Sequence, residues 1–311
     1  MGKKSRKART SAEQQPAGEV GPRQPCPCGS GRRYKACHGN PAGATPAWRP
    51  RPFEGLAGEC DLIALREFVP AATAPLAVTG TDRAVRLCTL LPAAAPALVR
   101  EDGSIWLGLQ VQHGYGDPSR DLAAVLTAAL DAEPGAMVGL TADPGEGPRL
   151  QDLLADAPLE VTVHDGFDYW ADGTDDPEAM AAVLEQANAT VAPSARIGGV
   201  EAAYWTSAGE REYLRWVRPE PEDALLDALA RLHHAERDRL VEGARLLGMF
   251  RAHGVLVPVW EVPAGTGPEA LTEPVAAFDQ ALTETLADAR PLDSAERASR
   301  AGLTSRQITI R

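Results

Sequence analysis

Lysine is missing from this 311-residue chain after position 35; its four lysines are Lys3, Lys4, Lys7 and Lys35. The long remainder therefore holds no phosphate-loop lysine, no kinase-type ATP lysine and no Schiff-base lysine, and the chemistries that need them are excluded there. A Gly-x-Ser-x-Gly elbow is also missing, which argues against a serine hydrolase of that class. The stretch His233-His234-Ala235-Glu236 falls short of a His-Glu-x-x-His metal helix and reads as the solvated face of an amphipathic helix. No apolar run approaches the ~18 residues of a membrane helix, so no membrane insertion is expected. The basic N-terminal stretch has no hydrophobic segment behind it and is not read as a secretory signal. With only five cysteines and nothing pointing to an oxidising compartment, a cytoplasmic location is expected.

Charge is unevenly spread. Residues 1–40 carry nine basic and two acidic side chains, and the rest carries 22 basic and 41 acidic, for a total of −12. A short cationic arm thus precedes a strongly acidic body. Such an arm favours anionic partners: RNA, the ribosome, an acidic protein surface or the chain's own body. The alternative is a disordered tail that only solubilises. Hydrophobic content of 44% and charged content of 24% are ordinary for a folded protein.

Chemistry concentrates between Cys26 and Gly39, in CPCGSGRRYKACHG. Cys26, Cys28, Cys37 and His38 supply three thiols and one imidazole, the ligand count and type of a closed structural zinc site. Glycines at 29, 31 and 39 permit the tight backbone that wrapping an ion requires. Arg32, Arg33 and Lys35 raise the local potential and favour thiolate over thiol. The Cys-x-Cys gap is shorter than the usual two to four residues, so a redox-active thiol cluster or a disulfide pair stays open on spacing alone. Cys60 and Cys88 read as buried small hydrophobes.

The segment resembles the SEC-C motif, the small zinc-binding module of the C-terminal tail of the SecA translocation motor. Cys26, Cys28, Ser30, Gly31, Tyr34, Lys35, Cys37, His38 and Gly39 carry the likeness. The resemblance implies one Zn2+ held by Cys26, Cys28, Cys37 and His38. In SecA the similar module docks the chaperone SecB and the ribosome, which implies a docking role here, with Arg32, Arg33 and Lys35 facing the partner. The chain is not itself a SecA motor: it is far shorter, it lacks the nucleotide motifs and its motif is N-terminal. Over its whole length it resembles actinobacterial proteins that join an N-terminal SEC-C knuckle to a long domain of unknown function, through Phe53-Glu54-Gly55-Leu56, Gly58-Glu59-Cys60-Asp61 and Met249-Phe250-Arg251-Ala252-His253-Gly254.

Composition divides the chain into a disordered basic tail (1–24), the knuckle (25–40), a Pro- and Gly-rich linker (41–58) and an α+β body (59–311) with a division near 195. Trp48 and Phe53 are expected to pin the linker to the body. Helices are expected at Asp61–Val69, from Asp117-Pro118, near 150–154, from Asp176-Pro177 to about Ala189, and at Pro221–His233, Arg237–His253 and Pro268–Ala289. Strands are expected at Leu76–Thr79, Val85–Leu91, Ile105–Gln112, Ala136–Leu140, Leu159–His164, Ala202–Ser207, Glu212–Arg218 and Val255–Val262. The turn Glu101–Ser104 suggests a hairpin, and a strand pair followed by a helix in each half suggests an internal duplication.

Two groups in the body invite a functional reading. His164, Asp165 and Asp168 sit beside Tyr169 and Trp170, and could supply an acid–base pair; the plainer reading is a strand end with Trp170 in the core. His113 precedes a Gly-rich turn before a helix, which reads as a loop residue. The sequence thus describes a zinc-binding interaction or adaptor protein, more a docking element than an enzyme. The alternatives are an enzyme with its site near His164, and an RNA- or ribosome-associated protein using Lys3–Arg9 together with Arg32, Arg33 and Lys35.

Overall fold

A computed structural model describes residues 24, 33–34, 48–111, 116–140, 144–172 and 177–306. The chain divides into two units, Met1–Ala47 and Trp48–Arg311. In the first, the Tyr34 N–H donates to the Gln24 carbonyl at 2.7 Å. The expected tail, knuckle and first part of the linker otherwise lie outside the described residues.

The second unit is α+β, with helices packed on two sheets. Its first sheet runs through β1 (Ala72–Pro75), β2 (Val85–Cys88), β3 (Ala97–Val99), β4 (Ile105–Gly108), β5 (Met137–Val138) and β6 (Thr162–Val163), in the order β5-β3-β4-β2-β1-β6. The pair β2–β4 is parallel and its other pairs are antiparallel. The second sheet holds β7 (Ser194–Arg196), β8 (Ala203–Ala208), β9 (Arg211–Trp216), β10 (Arg245–Ala252) and β11 (Val255–Val262), in the order β10-β11-β9-β8-β7. All its pairs are antiparallel, so the two sheets do not share a strand order.

Helix α1 (Glu59–Glu67) is the centre of the fold. Its residues from Glu59 to Leu65 are all buried, as expected of a helix covered on every side. Leu62, Ile63 and Leu65 share one core with Leu87 and Leu107 of the first sheet and Tyr204 and Val257 of the second; α2 (Pro118–Leu130) adds Leu122 and Leu126. The short α3 (Leu150–Leu153) packs beside α2. The opposite face of the second sheet forms its own core: Leu214, Trp216 and Trp260 meet α5 (Glu222–His234), α6 (Thr272–Leu286) and α7 (Ser294–Ser305). The opposite face of the first sheet packs Trp106 against Phe167, Tyr169, Trp170 and α4 (Pro177–Asn188).

Several expectations are corrected. The helix expected over Arg237–His253 is strand β10 from Arg245 onward. Leu246 and Met249 face one core and Phe250 and Ala252 the other. Burial on both faces fills both sets of alternating positions and erases the strand period. The overlooked signal is His253-Gly254, both at positive φ, the two-residue hairpin turn that joins β10 to β11. The strand expected at Leu76–Thr79 lies earlier, at Ala72–Pro75, and Val78 makes only an isolated bridge with Leu154. Strand β3 was not foreseen; the turn at Glu101–Ser104 joins it to β4. Phe53 is fully buried, whereas Trp48 is 72% exposed. Instead, Arg51 pairs with Glu59 at 2.6 Å, and Arg149 and Gln151 both donate to the Pro52 carbonyl.

Helix α7 was also not foreseen, although Asp293-x-x-Glu296 is a capping-box signature. The Asp293 carboxylate accepts from the Ala295 and Glu296 N–H groups, and Glu296 accepts from the Asp293 N–H. Arg290, with help from that N–H, holds the Glu296 carboxyl down at about 2, against 4.5 ordinarily. A carboxyl lowered in the folded state contributes stability above its unfolded value and loses it as pH falls through its folded one. Glu296→Gln should therefore destabilise the protein at pH 7, with the gap to wild type closing between pH 4.5 and about 2. Urea unfolding at several pH values checks this; a gap constant across that window would refute it.

Candidate functional site

The first candidate is the cysteine–histidine segment. Cys26, Cys28, Cys37 and His38 lie outside the described residues, as do Arg32 and Lys35; Arg33 is described and exposed. Among the described residues no group of three or more His, Cys, Asp or Glu side chains could hold a metal ion. The two other cysteines are buried free thiols. Burial pushes the Cys88 thiol up to about 12, and raises Cys60 further, with nearby Glu201 adding to the effect. Both are thus poor metal ligands. The cysteines that remain as candidate donors are those of the segment itself, and three thiols with one imidazole match the preference of zinc.

The second candidate is a cleft of about 560 Å³ on the outer face of the first sheet. Parallel pairing of β2 with β4 sets Arg86 opposite Trp106. The Arg86 guanidinium lies 5.1 Å from the Trp106 ring centroid, and that of Arg100, from the chain just after β3, lies 4.4 Å away. Arg86 pairs with the Asp172 carboxylate at 2.9 Å, and Arg100 donates to the Asp172 carbonyl. His164, one residue past β6, sets its Nε2 2.9 Å from the Thr73 hydroxyl, with its ring 5.0 Å from that of Tyr169. Burial lowers its pKa below 6.5, which keeps it neutral at pH 7. Tyr169 Oη and Trp170 Nε1 both donate to the Leu90 carbonyl at 2.9 Å.

The acid–base grouping of His164 with Asp165 and Asp168 is not assembled. Both carboxylates are exposed and outside the cleft lining, and Asp168 accepts from Asn188 instead. The carboxylates that do line the cleft are Asp102 and Asp172. Trp170 is in the core, in line with the plainer reading of this stretch. Sequence reasoning missed Arg86, Arg100 and Asp172, because no local pattern links residues 86 positions apart. His113 lies outside the described residues. His233, in the last turn of α5, sets its Nδ1 2.6 Å from the Asp238 carboxylate.

A short metal-ligand motif ahead of an α+β domain of two sheets defines the class of this protein. The SEC-C motif matches residues 23–40, which contain all four candidate ligands. The family of unknown function DUF5926 matches residues 52–311, and the chain belongs to that family. No solved structure matches it. Among the described residues no helix is long and apolar enough to cross a membrane.

Proposed function

We propose that this chain is a cytoplasmic zinc-binding interaction protein. Cys26, Cys28, Cys37 and His38 would hold one Zn2+, which supplies the folding energy that so short a segment cannot draw from a core. The observation that carries this reading is the SEC-C match over residues 23–40, with a donor set suited to zinc. Arg32, Arg33 and Lys35 would then form a cationic rim that docks an acidic protein surface. The acidic balance of the remaining chain suits such a division of labour, since it leaves the cationic surface in the N-terminal segment.

Metal analysis of purified full-length protein should find about one zinc per chain, and none in the Cys37→Ser/His38→Ala variant. A metal-free but folded wild type would refute the zinc site. Pull-down from the source lysate should recover a partner with wild type and lose it with the double variant; identical profiles would refute docking through the knuckle. An RNA or ribosomal partner would show itself by affinity falling steeply with salt, one phosphate contact per unit of slope.

A further inference from the structure

We propose that Arg215, on the α1-facing side of the second sheet, recognises the carboxylate of a small molecule with an aromatic body. This inference is independent of the knuckle. Burial alternates along β9: Glu212, Leu214 and Trp216 are buried, while Arg211 is exposed and Tyr213 and Arg215 are only partly covered. The α1-facing side of the sheet is thus left incompletely covered along this stretch, and a ligand can reach it. The Arg215 guanidinium lies 5.7 Å from the ring centroid of Phe68, the residue after α1, and 5.7 Å from that of Tyr213. Tyr204 and Val259 stand opposite it on the neighbouring strands.

Among the described residues Arg215 makes no hydrogen bond and no ion pair. Other partly buried arginines of the same unit are satisfied. Arg51, Arg149 and Arg196 meet carboxylates, and Arg66 and Arg83 donate to backbone carbonyls. A guanidinium drawn out of water without an acceptor is costly. Burial accordingly lowers the Arg215 pKa, and Tyr213 is the one group whose charge works against that. The carboxylates of adjoining positions are committed elsewhere. Glu261, opposite Tyr213, pairs with Arg245 at 2.6 Å and also acts on Arg211. Glu67, just before Phe68, bonds His253 at 2.7 Å. Glu212 accepts from the Gly265 and Gly267 N–H groups. Charge and shape then select the ligand. One guanidinium fork takes one flat carboxylate through two parallel hydrogen bonds. A phosphate dianion would bring a second charge that Arg215 cannot offset in a half-buried place. The Phe68 and Tyr213 rings offer apolar and edge contacts that suit an aromatic ring on the ligand.

The test titrates full-length protein with benzoate, acetate, inorganic phosphate and benzyl alcohol, followed by calorimetry and thermal unfolding. Benzoate should bind saturably and raise Tm, and should bind more tightly than acetate or phosphate by at least about fivefold. Benzyl alcohol, which keeps the ring without the charge, should not displace it. Arg215→Lys keeps the charge but loses the fork, and should weaken benzoate by about tenfold, the scale of one charged hydrogen bond. Arg215→Met should abolish binding and leave the ligand-free protein at least as stable as wild type, because an unpaired cation leaves a half-buried place. A purely structural cation–π contact predicts the opposite, a lower Tm. The proposal is overturned if wild type does not bind benzoate saturably or binds phosphate as tightly. It is equally overturned if the Arg215 variants bind like wild type, or if ligand-free Arg215→Met unfolds at a lower temperature than wild type.

Discussion

Replacing Asp61 by alanine is expected to lower the unfolding free energy by about 3–5 kcal/mol, the range for removing one partner of a buried ion pair. Asp61 lies in the first turn of α1, with its side chain 4% exposed. It accepts from Tyr204 Oη at 2.6 Å and from Arg196 Nε and Nη2 at 3.2 and 3.1 Å. Tyr204 is fully buried, so its hydroxyl would lose its acceptor with no water to replace it. The interaction ties the central helix to β7 and β8, and so ties the first sheet to the second. Asp61→Asn keeps an acceptor for Tyr204 and should cost clearly less. Urea unfolding followed by tryptophan fluorescence would decide: an alanine variant within ~1 kcal/mol of wild type, the scale of an exposed pair, would show that this junction contributes little.

Gly254→Ala is the second large effect, expected at roughly 2–4 kcal/mol from positive-φ strain together with overpacking. Gly254 has φ +85°, and a Cβ there would lie 2.7 Å from the Pro50 carbonyl oxygen and 2.8 Å from the Arg51 Cβ. The tip of the β10–β11 hairpin is thus pressed against the strap that leads into α1. His253 of the same turn stacks its ring edge-on to Phe53, with centroids 5.2 Å apart, and bonds Glu67 at 2.7 Å. The alanine must either distort the turn or lift the strap. Limited proteolysis should then cut near residues 50–52 faster than in wild type. Unchanged stability with an unchanged cleavage pattern would mean that the strap yields at no cost.

How much of this was readable beforehand depends on how local each feature is. The amphipathic helices α2, α5 and α6 bury one side against a sheet, and their apolar spacing shows it. Pro118 and Pro177 open their helices, as their fixed φ suits a first turn. The β8–β9 hairpin also emerges from its pattern around Ala208-Gly209. Strand β10 does not, because two cores claim its two faces and leave an unbroken apolar run. In α7 the local cap was present but the apolar side is thin: Leu303 is its one buried hydrophobic residue. Of the residues that line the outer cleft, His164 stood out because histidine is scarce and it sits among aromatics. Arg86 and Asp172 looked like ordinary surface charges.

What the sequence by itself determined is the SEC-C segment with its candidate ligands and the exclusion of lysine-dependent chemistry from the body. Both are statements about residue types, and the four candidate ligands lie within thirteen positions of one another. Only the tertiary structure decided which charges meet. Asp61 finds Arg196 across 135 positions, and Arg86 finds Asp172 across 86. Strand pairing sets such meetings: a parallel β2–β4 register puts Arg86 beside Trp106, and a shift of one residue would turn either side chain to the opposite face. That register follows from which faces are buried, and burial is a property of the whole fold.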